Sequence, residues 1–278
     1  MQIQCEILAP AGRLSDIEPL IEAGADAIYV GLFGFSSRPK SSDLRIEEIE
    51  EALKRTHAHG KKLYVAINAA IGNEMLEALY AAIARLDEIG VDALIIADYG
   101  ILWKASKIIR HAELHLSTLT GVYNAENIPW LLQNNVKRLI LSSDLFLDEI
   151  QDIIDCYPKL DYEIVADGGL CFNSNRQCLL PHVGEFEKYS VYCQHTYTIY
   201  DGETEMHPAR RIGNCPAKIH RTLGLYLGMG ISSFKVEGRT NQIDYILKRI
   251  RQIKESKDFF MTHVDEIPGY MQYIHRKY

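Results

Sequence analysis

Short apolar runs alternate with stretches of helical period through the first half of this chain, and that alternation constrains its fold more than any other feature. The runs CEILAP (5–10), AIYVG (27–31), KLYVAIN (62–68), ALIIAD (93–98), ELHLST (113–118) and RLILSS (138–143) have the length and composition of buried strands. Between them, RIEEIEEALKRTHAHG places Ile46, Ile49 and Leu53 on one helical face and stops at Gly60. NEMLEALYAAIARLDEIG, NAENIPWLLQNN and DLFLDEIQDIIDCY repeat the device. Strand then helix, joined by short connections, calls for a parallel sheet. A seventh strand, DYEIVAD (161–167), and an eighth, SSFKVEG (232–238), complete a (β/α)8 TIM-type barrel, with an open doubly wound sheet as the alternative. The expected organisation is one barrel over residues 1–258 and a C-terminal tail over 259–278.

The repeat breaks once. Residues 168–230, between the seventh and eighth strands, form an insertion far longer than an ordinary strand-to-helix connection. Its end, CPAKIHRTLGLYLGMG, reads as a helix with Pro216 at its first turn. In a barrel such an insertion emerges at the C-terminal mouth, where active sites lie. It holds four of the six cysteines, Cys171, Cys178, Cys193 and Cys215, spaced C-x6-C-x14-C-x21-C. Zinc sites favour closer pairs, and soft thiolates suit iron–sulfur clusters as well as zinc. Unrelated buried cysteines are the bland alternative. Cys5, on the first strand, and Cys156, late in a helix, read as small buried apolar residues.

The chain shows neither a basic segment leading into an apolar leader nor a run long enough to span a membrane, which points to the cytoplasm, where thiols stay reduced. A net charge of −7 argues against a nucleic-acid partner, although HPARR (207–211) is a local basic run. Neither G-x-S-x-G nor H-E-x-x-H occurs, so no peptidase centre can be assigned.

Taken together, YEIVADGGLCFNSNRQCLL and the later FKVEGR resemble the signature of peptidase family U32, the collagenase-like peptidases. The matching residues are Glu163, Gly168, Cys171 and Cys178, then Lys235, Val236, Glu237, Gly238 and Arg239, with FSSR (35–38) where the family has its Ser-x-Arg stretch. The opening EILAPAGRLSDIEPLIEAGADAIYVG resembles the family's first strand–helix unit. The resemblance implies a [4Fe–4S] cluster on four cysteines and oxygen-independent hydroxylation, on RNA bases in some members and in ubiquinone biosynthesis in shorter, heterodimeric ones. Prephenate is the implied oxygen donor. Three positions depart from the family pattern: Tyr197 stands where many members have a further cysteine, Leu119 where they have Gln, and Ser143 where they have Arg. Cys215 then supplies the fourth ligand, and the lost Gln and Arg put a shared substrate in question.

The expected site therefore comprises Cys171, Cys178, Cys193 and Cys215 as metal ligands, with zinc as the alternative metal. Glu163 and Glu237 are candidates for proton transfer, against plain salt bridges with Lys235 or Arg239. Arg38, Asn68, Asp98, Ser117, Lys235 and Arg239 are candidate substrate contacts near strand ends. Glu6 reads as a buried polar group pointing inward, and His182 and His195 as lying outside the ligand set. Acidity and short length favour a small molecule over RNA. A related chain and an electron-transfer protein are the expected partners. The alternatives are a non-catalytic subunit and, third, a peptidase.

Overall fold

A computed structural model describes residues 4–38, 40–170, 196–211, 215–218 and 222–266, with the backbone alone at 40, 169–170, 196–201, 205–211, 215–218 and 266. Eight parallel strands close on themselves: β1 (Glu6–Pro10), β2 (Ala27–Gly31), β3 (Lys62–Ile67), β4 (Ala93–Ile96), β5 (Glu113–Leu116), β6 (Val136–Ile140), β7 (Asp161–Leu170) and, after the insertion, β11 (Ser233–Val236). Ile140 pairs with Glu163, Ser233 with Glu163 on the other side, and Glu6 with Ser233, which closes the ring. The fold is the TIM barrel that the alternation calls for.

Helices α1 (Ile17–Glu22), α2 (Ile46–Ala58), α3 (Leu76–Ile89), α4 (Tyr99–Ile108), α5 (Ile128–Gln133) and α6 (Leu147–Cys156) follow the first six strands, and α8 (Ile243–Thr262) follows β11. Their starts are set by local chemistry. Glu48 accepts the Arg45 N–H at 2.8 Å, Glu149 accepts the Phe146 N–H at 2.8 Å, and Asp98 caps α4 through the Ile101 N–H at 3.0 Å. Each helix buries a stripe against the sheet, such as Ile150, Ile153 and Ile154 of α6 or Ile246, Ile250 and Ile253 of α8.

Strand alternation sorts the side chains into two cores. Ile7, Ile28, Val65, Leu94, Leu139, Ile164 and Phe234 pack outward beneath the helices. Leu8, Ala27, Tyr29, Tyr64, Ala66, Ala93, Ile95 and Ile140 pack into the lumen.

Within the insertion, β8 (Thr196–Asp201) and β9 (Thr204–Arg211) form a hairpin, and β10 (Cys215–Lys218) runs antiparallel to the extended end of β7. The helix expected from Cys215 onward is thus a strand at its start. The helix itself, α7, covers only Leu223–Met229. β7 continues past the barrel rim to Leu170, and residues 215–218 pair with its free edge. Pro216 is compatible with that place, because it lies on an edge strand.

Candidate active site at the barrel mouth

The lumen is unusual at its N-terminal end. TIM barrels fill this layer mostly with branched apolar side chains, whereas here the inward positions of β1, β6, β7 and β11 carry Glu6, Arg138, Glu163 and Ser233. The Arg138 guanidinium reaches Glu6 at 2.5 Å, Asp161 at 2.7 Å and Glu163 at 3.2 Å. The Ser233 hydroxyl lies 2.9 Å from Glu6 and 3.1 Å from Glu163, and the Tyr64 hydroxyl donates to Glu6 at 2.7 Å. Burial opposes the charge on Arg138, but Glu6, Glu163 and Asp161 outweigh it and hold the guanidinium protonated well above its ordinary range. His115, fully buried against the edge of Tyr64, is pushed down by burial and stays neutral.

Above this layer lies the Lys-Val-Glu-Gly-Arg stretch. Lys235 points into the lumen, 3.4 Å from Glu163 and 4.5 Å from the centre of the Tyr29 ring. Val236 points outward into the helix-facing core. Glu237 reaches the mouth and pairs with Arg38 at 3.6 Å, half-exposed. Gly238, at φ 125°, turns the chain in a conformation that favours glycine. Arg239 then folds back across the end of β2, donating to Asp43 at 2.9 Å and to Ser36 at 2.7 Å. Gly31 makes that crossing possible, because a Cβ there would lie 1.8 Å from the Arg239 guanidinium and 2.0 Å from Asp43. Burial pushes Asp43 up against the opposing pull of Arg239, and it lowers Arg239 in turn. The two motifs that are distant in sequence, FSSR and KVEGR, are therefore bonded side by side at the mouth.

The remaining expected residues have local structural partners. Asn68 accepts the Ser37 N–H at 2.9 Å and so steadies the loop that carries Arg38. Asp98 is the cap of α4. The Ser117 hydroxyl accepts the Leu119 N–H at 3.3 Å. Glu6 is the inward polar group expected of it. Cys5 is buried, whereas Cys156 is exposed, contrary to expectation, because it falls beside the Ile150–Ile153–Ile154 stripe of α6 rather than on it. Arg138, Tyr29 and Asp43 were not expected. Arg138 was legible as a charge at an inward strand position, but Asp43 lies in a loop with no pattern of its own.

Of the four clustered cysteines, Cys171, Cys178 and Cys193 lie outside the described residues, as do His182 and His195. Cys215 opens β10, and its backbone pairs with Leu170, the residue before Cys171 in sequence. Two positions further in, a Cβ on Gly168 would lie 2.6 Å from Cβ of Glu237. The strand end that leads into Cys171, the strand that begins at Cys215, and the Glu237–Arg38 pair thus share one side of the mouth.

A family model for peptidase family U32 matches residues 12–275. The chain belongs to this family. Among curated relatives, the tRNA hydroxylation protein P of Helicobacter pylori (strain J99) is 34% identical over 178 residues, covering 64% of this chain and 42% of that protein. The 23S rRNA 5-hydroxycytidine C2501 synthase of Escherichia coli (strain K12) is 29% identical over 248 residues, covering 87% of this chain and 37% of that protein. The match to these two relatives thus takes in only about two-fifths of their length. The solved structure of the U32 peptidase Mk0906 superposes with a TM-score of 0.58 at 9% identity, covering 86% of this chain and 94% of that one, and supports the fold alone. Among the described residues no helix is long and apolar enough to cross a membrane.

Proposed function

We propose that this chain supports oxygen-independent hydroxylation of an RNA base, with a [4Fe–4S] cluster held by Cys171, Cys178, Cys193 and Cys215. The observation that carries the reading is the pairing of Cys215 with Leu170, which returns the far end of the cysteine segment to the strand that leads into Cys171. Four thiols in one segment are a donor set suited to such a cluster. When bound, the cluster supplies one-electron redox chemistry. The chain's own residues do the rest: Arg38 and Glu237 offer an exchangeable ion pair at the mouth, and Lys235 and Arg239 supply buried positive charge beneath it.

RNA replaces the small molecule favoured by acidity and short length, because the relatives' names specify tRNA and rRNA hydroxylation. The basic run His207–Arg211 lies along β9 of the insertion hairpin and is the segment to test for RNA contact. A cytoplasmic location and an electron-transfer partner belong to the same proposal. The deciding measurement is iron, acid-labile sulfide and zinc content on protein purified without oxygen. About four irons and four sulfides are expected, with loss of both in the Cys215→Ser variant. Mass spectrometry of RNA nucleosides from cells with and without the gene then tests for the hydroxylated base. Zinc without sulfide would remove the redox reading.

A second reading makes the chain a subunit that pairs with a related one. It is favoured by Leu119 and Ser143, where the family carries Gln and Arg. Hydroxylation by the isolated chain excludes it.

A further inference from the structure

Three loops at the mouth end of the barrel leave a cavity of about 530 Å³ between them. Gly12, Arg13 and Asp16 follow β1, Ser41 and Ser42 follow β2, and residues 239–244 join β11 to α8. The volume suits a small molecule or one unit of a polymer and is far more than an ordered water fills. Its walls are tied together. A Cβ on Gly12 would lie 2.5 Å from the Arg239 carbonyl oxygen, so the first loop sits directly against the third. Asp16 accepts the Gly12 and Arg13 N–H groups at 3.2 and 3.0 Å, which fixes the turn that carries Arg13. The space is therefore preformed, which lowers the cost of binding in it.

The lining has hydrogen bonds to give. Arg13 is exposed, and its side chain pairs with none of the described residues. Arg239 is 7% exposed and spends two of its five N–H bonds, on Asp43 and Ser36. The Ser41 and Thr240 hydroxyls have no partner among the described residues. No side chain caps the first N–H groups of α8, and its 20 residues bring the positive end of a long helix dipole to the same wall. One carboxylate is also free: Asp244, in the first turn of α8, is exposed and bonded to none of the described residues. A bare phosphate would meet Asp244 as well as Arg13 and would leave most of the space empty. A ligand with an oxyanion at one end and hydroxyl groups at the other satisfies both. That description fits a phosphorylated sugar. Within a nucleic-acid chain, only ribose keeps a 2′-hydroxyl that can donate to a carboxylate.

We propose that this cavity is a subsite for one ribose–phosphate unit. Arg13 and the opening N–H groups of α8 hold the phosphate, and Asp244 accepts from a sugar hydroxyl. Arg239 joins the subsite to the mouth, because Ser36, to which it donates at 2.7 Å, begins the loop whose Arg38 pairs with Glu237. The expected source of the unit is the nucleotide beside the one that enters the mouth, an expectation that rests on the RNA reading above. A free sugar phosphate carries the same chemistry.

The test measures binding of a short single-stranded RNA, and of DNA of the same sequence, to the full chain purified without oxygen. Fluorescence anisotropy is read across a salt series, and ribose 5-phosphate is titrated by calorimetry. Arg13→Ala should weaken the RNA about tenfold and lower the slope of log affinity against log salt by about 0.7, the share of one phosphate on a single strand. Asp244→Asn should keep the slope and lose most of the preference for RNA over DNA. Arg85→Ala, on α3 and away from the cavity, should change neither. Arg13 and Asp244 are both exposed, so the variants should fold, and their melting temperatures are measured beside the wild type. RNA bound by Arg13→Ala with wild-type affinity and slope overturns the subsite and leaves the hydroxylation reading intact. An RNA preference untouched by Asp244→Asn overturns the sugar contact. Binding of ribose 5-phosphate that depends on Arg13, without binding of RNA, upholds the subsite and removes RNA as its source. Binding of neither at millimolar concentration overturns the proposal.

Discussion

Replacing Gly31 by alanine adds one methyl group to the molecule, and the structure places that carbon where two buried charges meet. The added Cβ would stand 1.8 Å from the Arg239 guanidinium and 2.0 Å from the Asp43 carboxylate. Both side chains are almost fully buried, at 3% and 1% exposure, so neither has solvent to move into. Separating a buried ion pair without replacing it costs about 3–5 kcal/mol when one partner is deleted. Displacement rather than deletion puts Gly31→Ala near the lower end, at about 3 kcal/mol. For a chain of this size that lowers the melting temperature by roughly 6–12 °C. Thermal unfolding followed by circular dichroism reads the effect directly. The cause is isolated by repeating the substitution in an Asp43→Ala/Arg239→Ala background, where the two nearest atoms are absent, only the Ser36 hydroxyl at 2.8 Å remains to turn aside, and Gly31→Ala should cost about 1 kcal/mol. A Gly31→Ala protein as stable as wild type, or an equal loss in both backgrounds, would refute the reasoning that this glycine exists to let the pair cross.

Three further predictions rest on groups away from the mouth. Asp87 accepts the N–H groups of Arg110, His111 and Ala112 at 2.8, 2.9 and 2.7 Å; burial raises its pKa, but these three donors outweigh burial and lower it. The stability it contributes is therefore full above the ordinary carboxylate range and lost as pH falls through the lowered folded value. Asp87→Asn should cost about 1–2 kcal/mol at neutral pH, and urea titrations should show the gap to wild type closing on strong acidification. Burial pushes the Cys5 thiol up to about 12, whereas Cys156 is exposed. Of these two, an alkylating reagent at neutral pH should modify only Cys156 in native protein, and mass spectrometry should find Cys5 modified only after unfolding. Arg138→Met removes the shared partner of Glu6, Asp161 and Glu163 and should cost about 3–5 kcal/mol, with part recovered by Glu163→Gln in the same chain.

The barrel was legible because its outward core obeys a simple rule. Alternate residues of each strand face the helices, and those positions are apolar almost throughout, so period-two runs between helical stripes mark every barrel strand. The strand boundaries shifted where turn geometry intervenes: β6 starts at Val136, two residues before the expected start, just after Asn135 in a left-handed turn conformation at φ 59°. The first turn of the expected insertion helix was misread because residues 215–218 carry no strand pattern of their own. They are extended only because β7 overruns the barrel and leaves an edge to pair with. Cys156 was misplaced for a different reason: a helical stripe is narrow, and one residue's displacement from it changes burial to exposure. Asp43 and Arg239 are 196 residues apart in sequence, and nothing local in either segment announces the other.

The Lys-Val-Glu-Gly-Arg stretch shows how far a five-residue motif is determined by strand geometry. Alternation alone sends Lys235 inward, Val236 outward and Glu237 inward again, one layer nearer the mouth. Val236 completes the packing beneath the helices, so the motif's apolar member serves the fold and its charged members the lumen. The strand then ends, and Gly238 takes a backbone conformation that reverses the direction in which the next side chain points. Arg239 is thereby freed from the inward–outward alternation and reaches sideways over β2 to Asp43 and Ser36. Because Ser36 begins the loop that carries Arg38, and Arg38 faces Glu237, the same five residues set the lumen charge, one half of the mouth's ion pair and the anchor of the other half. A change at Gly238 is accordingly expected to disturb Arg38 through Arg239 even though the two lie 200 residues apart in sequence.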